Sequence, residues 1–133
     1  MNFARVERAA GLAILSRMVG NPKWDWSGGL VGAQDLADAG EMYAVVDDQG
    51  APAAFFVLQK VEYSGGRELV VSAALQVGAR HNLVETVLPE LERTFADDCT
   101  SVVIYTKRGG LVRKLERAGY QDAKATIMRK KLK

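Results

Sequence analysis

The chain has 133 residues, a mass of 14.5 kDa and a formal net charge of +2, from 18 basic and 16 acidic side chains. This length predicts one domain covering residues 1–133. A content of 48% hydrophobic and 26% charged residues excludes a wholly disordered chain, and the near balance of charges argues against nucleic-acid binding through bulk charge. One cysteine, Cys99, excludes an intrachain disulfide, and one histidine, His81, leaves a single candidate base for a nucleophilic triad.

The hydropathy of the chain bears on its location. The longest apolar run, from Ala53 to Leu58, is far too short to cross a bilayer. The first residues lack the charged and then apolar pattern of a signal peptide. We therefore expect a cytoplasmic protein with no membrane partner.

The N-terminal third predicts two helices. Apolar residues recur at helical spacing from Phe3 to Val19, and Gly20-Asn21-Pro22 ends that helix. A glycine-flanked loop follows, and a short helix is predicted from Val31 to Ala39. The loop carries Trp24 and Trp26, which are equally compatible with lining a ligand cleft and with capping the core.

The middle of the chain predicts an antiparallel meander. Three runs of strand-forming residues are separated by short turns rich in Asp, Ser and Gly. The strands are predicted at Met42–Val46, Ala53–Tyr63 and Glu68–Val77. The turns are Asp47–Gly50 and Ser64–Gly66.

The last third alternates between helix and strand. A helix is predicted from Asn82 to Ala96, and Pro89 inside it predicts either a kink or a later helix start. A β-branched strand at Ser101–Tyr105, a helix at Leu111–Ala118 and a final strand at Ala125–Arg129 follow. This order predicts an α/β (α+β) domain with a mixed, mostly antiparallel sheet and helices on both faces.

The order of elements, with Gly119-Tyr120 before the last strand, resembles the GNAT superfamily of N-acyltransferases over residues 41–132. The run from Tyr105 to Tyr120 and the ending Arg129-Lys130-Lys131-Leu132 are similar to short GNAT-like proteins of tailed phages and prophages. The resemblance implies a GNAT-like fold and acetyl transfer from acetyl-CoA. The partners would then be acyl-CoA and a small amine or a protein amine.

In GNAT enzymes a loop with the pattern Arg/Gln-x-x-Gly-x-Gly/Ala follows the third meander strand and holds the pyrophosphate of acyl-CoA. Here Gly78 stands for the first glycine, Arg80 occupies the place of the second small residue, and Gln76 is one place off register. The pattern is therefore degenerate. A strand-to-helix turn that binds no ligand is equally compatible with it.

The resemblance also implies roles for the residues of this loop. Backbone groups of Val77, Gly78 and Ala79 would hold the acyl oxygen and the pyrophosphate. Arg80 and His81 would contact a phosphate by charge. For His81, a partly exposed polar residue near a helix start is the alternative.

Two further family features concern proton transfer. The general base is often a carboxylate on the third meander strand; Glu68 is the best match and Glu62 the second, and a solvated hairpin carboxylate is the alternative for each. The tyrosine that reprotonates the CoA thiolate lies four residues before the helix-ending glycine, where this chain has Leu115. An asparagine common at the start of that helix is replaced by Arg108.

Other chemistry-bearing residues have simpler interpretations. Cys99 beside Asp97-Asp98 is expected to be a buried structural thiol, and Asp47-Asp48 is expected to serve the turn instead of a metal. The basic residues of the last third could meet CoA phosphates, although a solvated face is preferred. They are Lys107, Arg108, Arg113, Lys114, Arg117, Arg129, Lys130, Lys131 and Lys133.

Two functions follow. The first is an acetyltransferase with acetyl-CoA as cofactor and Glu68 as base. The second is a catalytically inactive GNAT-like phage or prophage protein that binds phage structural proteins in the virion or during its assembly. Leu115 favours the second and Gly78 permits the first. A homo-oligomer is compatible with both.

Overall fold

The computed structural model describes residues 1–19, 21 and 29–133, and Trp24 and Trp26 lie outside these described residues. The elements follow one another along the chain as strands, helices and one short π-helical turn. They are β1 (Asn2–Arg5), α1 (Arg8–Val19), α2 (Ala33–Ala39), β2 (Glu41–Val46), β3 (Pro52–Tyr63), β4 (Gly66–Gln76), the π-helical turn (Leu83–Val87), α3 (Leu88–Phe95), β5 (Ser101–Ile104) and α4 (Gly109–Arg117).

The strands lie in one sheet in the order β1-β2-β3-β4-β5. The first four strands pair antiparallel with their neighbours, and β5 pairs parallel with β4 after the crossover through α3. The predicted mixed, mostly antiparallel sheet is therefore confirmed. Within the described residues β5 has a strand partner on one side only, so it forms an edge of the sheet.

The core lies on both faces of the sheet, and β3 runs through its centre. Residues Ala53–Leu58 are all buried, and alternate side chains point to opposite faces because strand side chains have a period of two. Ala54, Phe56 and Leu58 pack with α3 and α4, whereas Phe55 and Val57 pack with α1 and α2. This arrangement confirms the prediction of helices on both faces and explains why β3 is continuously apolar.

The prediction of one helix from Phe3 to Val19 was wrong at its start. Residues Asn2–Arg5 form β1 and pair with β2, and the helix begins only at Arg8. The ring of Phe3 lies 6.2–6.5 Å from the rings of Tyr43, Phe56 and Phe95. Burial of this aromatic ring and pairing along the edge of β2 outweigh the helical spacing of the sequence.

The predicted final strand at Ala125–Arg129 was also wrong. The structure has no helix or strand in residues 121–133, and all of these residues are exposed, with Ile127 56% and Met128 89% accessible. A strand needs a hydrogen-bonded neighbour and a buried face, and this segment has neither. Its alternating sequence is therefore insufficient to place it in the sheet.

The helix predicted from Asn82 is interrupted near Pro89. The N–H of Val87 donates to the carbonyl of Asn82, and the N–H of Leu88 donates to that of Leu83, which is the i to i−5 pattern of a π-helical turn. The α-helix then starts at Leu88, so Pro89 lies in its first turn. Proline is tolerated there because the N–H groups of a first turn have no intrahelical acceptor.

Candidate functional site

A cleft opens where β4 and β5 separate. Their parallel pairing runs from Glu68–Ser101 to Val71–Ile104 and ends there. At the same point Leu58 of β3 is paired with Val71, and Val57 with Ala73, so Ser72 is an extra residue on β4. Such a β-bulge bends the strand and disrupts its ladder locally. The bulge therefore coincides with the place where β4 leaves β5.

The cleft passes between the two helical layers and has a volume of about 120 Å³. That is room for a few small groups, since one water occupies about 30 Å³ in the liquid. Met18 and Leu36 line it from α1 and α2, and Leu83 and Leu111 line it from the opposite layer. The remaining wall includes Ser72, Ala73, Ala74, Tyr105, Lys107 and Arg108. The walls are mostly apolar, with basic residues at the end of β5.

The loop after β4 is folded around the side chain of Gln76. Its amide nitrogen donates to the Gly78 carbonyl at 3.0 Å, and its amide oxygen accepts from the Leu83 N–H at 3.0 Å. Gly78 has a φ of +71°, a conformation that favours glycine. The Val77 N–H donates to the carbonyl of Ala53 at 3.0 Å and anchors the start of the loop.

The backbone N–H groups from Gly78 to Asn82 donate to no acceptor in the described chain. The Asn82 side chain accepts from the N–H groups of Val84 and Glu85 and so caps the turn that follows. Gly78, Ala79 and Arg80 are exposed. Exposed backbone N–H groups that have no acceptor in the described chain are available to donate to an anion.

Arg80 and His81 both contact Asp47 in the turn between β2 and β3. The Nε2 atom of His81 lies 3.0 Å from Oδ2 of Asp47, and Nη1 of Arg80 lies 3.6 Å from the same oxygen. Asp47 is 9% exposed, and its Oδ1 accepts from the N–H groups of Gln49 and Ala51, both at 2.9 Å. The His81 bond, followed by the Ala51 N–H, lowers the pKa of Asp47 to about 2.

The two candidate bases differ in their surroundings. Glu68 lies three residues before the cleft, where β4 is still paired with β5, and accepts a hydrogen bond from Ser101 Oγ at 3.1 Å. Glu62 lies at the end of the β3–β4 hairpin, and its Oε2 accepts from Nε of Arg67 at 2.6 Å. Of the two, Glu68 is the nearer to the cleft along the strand.

Leu115, which stands where GNAT enzymes have the tyrosine that reprotonates the CoA thiolate, lies in the core. Leu115 is 6% exposed and packs in the cluster below α3 and α4. The hydroxyl of Tyr120 donates to Glu92 at 2.8 Å, and burial together with this bond raises the pKa of Tyr120 well above its ordinary value. Tyr105 instead lines the cleft and is 49% exposed.

Other predicted features have structural roles. Asp98 pairs with Lys60 at 2.5 Å and also with Arg67, which ties the β3–β4 hairpin to the turn before β5. Cys99 is half-buried against the core, and burial, reinforced by Asp98, raises the pKa of its thiol. Among the described residues no group of His, Cys, Asp and Glu side chains is placed to hold a metal ion. No helix in the same part of the chain is long and apolar enough to cross a bilayer.

Sequence reasoning missed two features of this site. The bulge at Ser72 depends on the register between β3 and β4, which a strand pattern does not reveal. The contacts of Asp47 with Arg80 and His81 join residues more than 30 positions apart. The sequence carried a weak signal for these contacts. Asp47 begins the turn that leads into β3, and β3 is the strand beside β4.

The mixed five-stranded sheet with helices on both faces is the GNAT-like α+β fold that the order of elements predicts. Solved structures share this fold. Ribosomal-protein-alanine N-acetyltransferase from Brucella melitensis biovar Abortus 2308 matches with a TM-score of 0.64 and 14% identity, over 99% of this chain and 100% of that one. Wild-type TTHA1254 from Thermus thermophilus matches with a TM-score of 0.56 and 17% identity, over 100% and 98%.

An integron cassette protein from Vibrio cholerae is also similar, with a TM-score of 0.61 and 12% identity over 98% of this chain and 91% of that one. At such identities the likeness concerns the fold. No protein-family model matches the chain, and no curated protein matches its sequence.

Proposed function

We propose that this protein transfers an acetyl group from acetyl-CoA to an amine in the cleft between β4 and β5. The observation that carries the proposal is the cleft itself, which opens at the Ser72 bulge and is lined by Ala74 and Leu83, before and after the loop that follows β4. Its apolar walls suit a pantetheine arm, and its volume suits a thioester group.

The chain supplies binding groups for acetyl-CoA along the cleft and in the loop after β4. Backbone N–H groups released from the ladder at Ser72 would bind the acyl oxygen as it gains charge. The unengaged N–H groups of Gly78 and Ala79 would bind the pyrophosphate, with Val77 anchoring the loop. Lys107 and Arg108 lie at the β5 side of the cleft and would attract the phosphates.

Proton transfer would use groups on either side of the thioester. Glu68 would accept a proton from the ammonium of the acceptor through a chain of waters, because three residues of strand separate it from the cleft by about 10 Å. The neutral amine then attacks the carbonyl carbon, the carbon–sulfur bond breaks, and the attacking nitrogen gives up its surplus proton to water. Leu115 has no proton to give, so Tyr105, which lines the cleft, would protonate the departing thiolate and regain a proton from water.

Isothermal titration with acetyl-CoA tests the proposal. We expect micromolar binding by the natural chain and its loss in Gly78→Glu, because a carboxylate would occupy the anion loop. Gly119→Glu is the matched control, since Gly119 also has a positive φ and open space around its Cα but lies at the far end of α4. Absence of binding at millimolar acetyl-CoA would overturn the proposal.

The buried, apolar Leu115 favours a second candidate function. In it the chain keeps the fold without turnover and binds phage structural proteins in the virion or during assembly. A complex with such a protein in size-exclusion chromatography, together with no acetyl-CoA binding, would support it. In the first function the protein would act in the cytoplasm.

A further inference from the structure

We propose that Asp47 is a positioning residue, which holds the loop after β4 in the shape that binds the diphosphate of acyl-CoA. The proposal rests on the proposed function. Asp47 touches none of the groups that would meet the ligand. It acts through Arg80 and His81, whose side chains it holds from the turn between β2 and β3.

The two oxygens of the Asp47 carboxylate have separate tasks. Oδ1 accepts from the N–H groups of Gln49 and Ala51 and fixes the turn. Oδ2 faces the loop after β4 and contacts His81 and Arg80. Since an ionised carboxylate only accepts hydrogen bonds, Nε2 of His81 must carry a proton in this contact. Arg80 also donates to the side chain of Gln49, in the same turn.

These contacts secure the middle of the loop. Gln76 and the Val77 N–H hold its two ends, through Gly78, Leu83 and Ala53. Between those ends, the described chain tethers residues 79–81 only through the side chains of Arg80 and His81. Loss of the Asp47 charge would therefore weaken two of these three contacts, leave the Arg80–Gln49 bond, and loosen the part of the backbone whose N–H groups have no acceptor in the described chain.

The same geometry assigns the affinity for an anion to the backbone. Asp47 engages Nε2 of His81 and lies within ion-pair distance of Nη1 of Arg80, so these two nitrogens face a carboxylate and not a phosphate. The two possibilities predict opposite results for removal of the Asp47 charge. If the side chains bound phosphate directly, their release would strengthen binding. If Asp47 positions the backbone, its loss weakens binding.

The experiment compares Asp47→Asn with Asp48→Asn by titration with acetyl-CoA. Asp48 is the matched control, because its side chain is 94% exposed and its ion pair with the Met1 ammonium lies at the surface. We expect Asp47→Asn to weaken binding at least about tenfold, since small displacements of binding groups have effects of this size. Asp48→Asn should bind as the natural chain does.

A ligand without the diphosphate separates positioning from a general loss of structure. S-acetyl-pantetheine, followed by ligand-detected NMR, should bind equally to the natural chain and to Asp47→Asn. A variant that merely loosened the fold would bind both ligands less well, and that result would overturn the proposal. Equal or tighter binding of acetyl-CoA by Asp47→Asn would also overturn it.

His81 offers a second pair of variants that leaves the Oδ1 contacts of the turn intact. His81→Ala should weaken acetyl-CoA binding, and His81→Gln should restore part of it, because the glutamine amide can donate to Asp47 without a charge. Failure of glutamine to restore binding contradicts the proposal. If the natural chain does not bind acetyl-CoA, the proposed function fails as well. If the natural chain binds it and Asp47→Asn and His81→Ala bind it equally well, only the role of Asp47 is overturned.

Discussion

At the scale of single residues, Asp47 joins two parts of the chain that the sheet keeps side by side. Its buried carboxylate has partners in its own turn and in the loop after β4. These partners stabilise the ionised form, which is why the pKa of Asp47 falls from its ordinary 3.8 to about 2. A carboxylate with a lowered pKa in the folded state makes the stability of the protein depend on pH.

The direction of this dependence can be tested with Asp47→Asn. The stabilisation by ionised Asp47 is complete above the unfolded-state pKa near 4 and declines as the pH falls towards about 2. We therefore expect the natural chain to have the higher urea midpoint at pH 5, and the gap to Asp47→Asn to shrink by pH 2.5. Asp48→Asn serves as control. A gap that is the same at both values would contradict the assignment of the pKa.

At the scale of elements, the approach of α2 to β3 depends on Gly40. Its φ of −148° is ordinary extended backbone, so glycine is needed there for space. A Cβ atom at this position would lie 2.6 Å from the carbonyl oxygen of Leu58 and 3.1 Å from Cγ1 of Val57. The first of these neighbours is backbone in the central strand and cannot move aside as a flexible side chain would.

We expect Gly40→Ala to lower the free energy of unfolding by about 1–3 kcal/mol, the usual cost of overpacking. Gly65→Ala is the matched control, because a Cβ atom there meets nothing within 4 Å. It should change the stability by less than about 0.5 kcal/mol. Urea unfolding monitored by circular dichroism measures both. Equal stability of the two variants would show that α2 shifts freely against β3.

Most helices and strands could be predicted from the local sequence pattern. The meander, the helix at Leu111–Ala118 and the continuous apolar β3 follow from local periodicity, and the structure confirms them. Local periodicity failed in two places: it did not predict strand β1, and it predicted a strand at Ala125–Arg129 that does not form. Pairing along a sheet edge is decided by residues distant in the sequence. The bulge at Ser72 and the contacts of Asp47 likewise arise from register between strands, which one sequence leaves open.

At the scale of the whole molecule, the two hydrophobic clusters lie on opposite faces of one sheet and share β3. Phe55 belongs to one cluster and its neighbour Phe56 to the other, so loss of β3 from the sheet would remove packing from both clusters at once. This coupling predicts that the chain behaves as one domain and unfolds in one transition.

Two core variants test this coupling, since Leu15 and Leu91 are fully buried on opposite faces. We expect Leu15→Ala and Leu91→Ala each to lower the stability by about 2–5 kcal/mol. Each should shift a single transition that is the same by far-ultraviolet and near-ultraviolet circular dichroism. Two separate transitions, with each variant shifting only one, would show that the two faces unfold independently.

The position of β5 at the edge of the sheet has a practical consequence for handling the protein. Within the described residues its outer backbone groups pair with no strand, so the edge of a second sheet could dock there. The lysine- and arginine-rich end of the chain, Arg129 to Lys133, gives every copy the same sign of charge near its C-terminus. Deletion of residues 129–133 would therefore remove a charge repulsion between copies, and we expect the shortened protein to precipitate more readily.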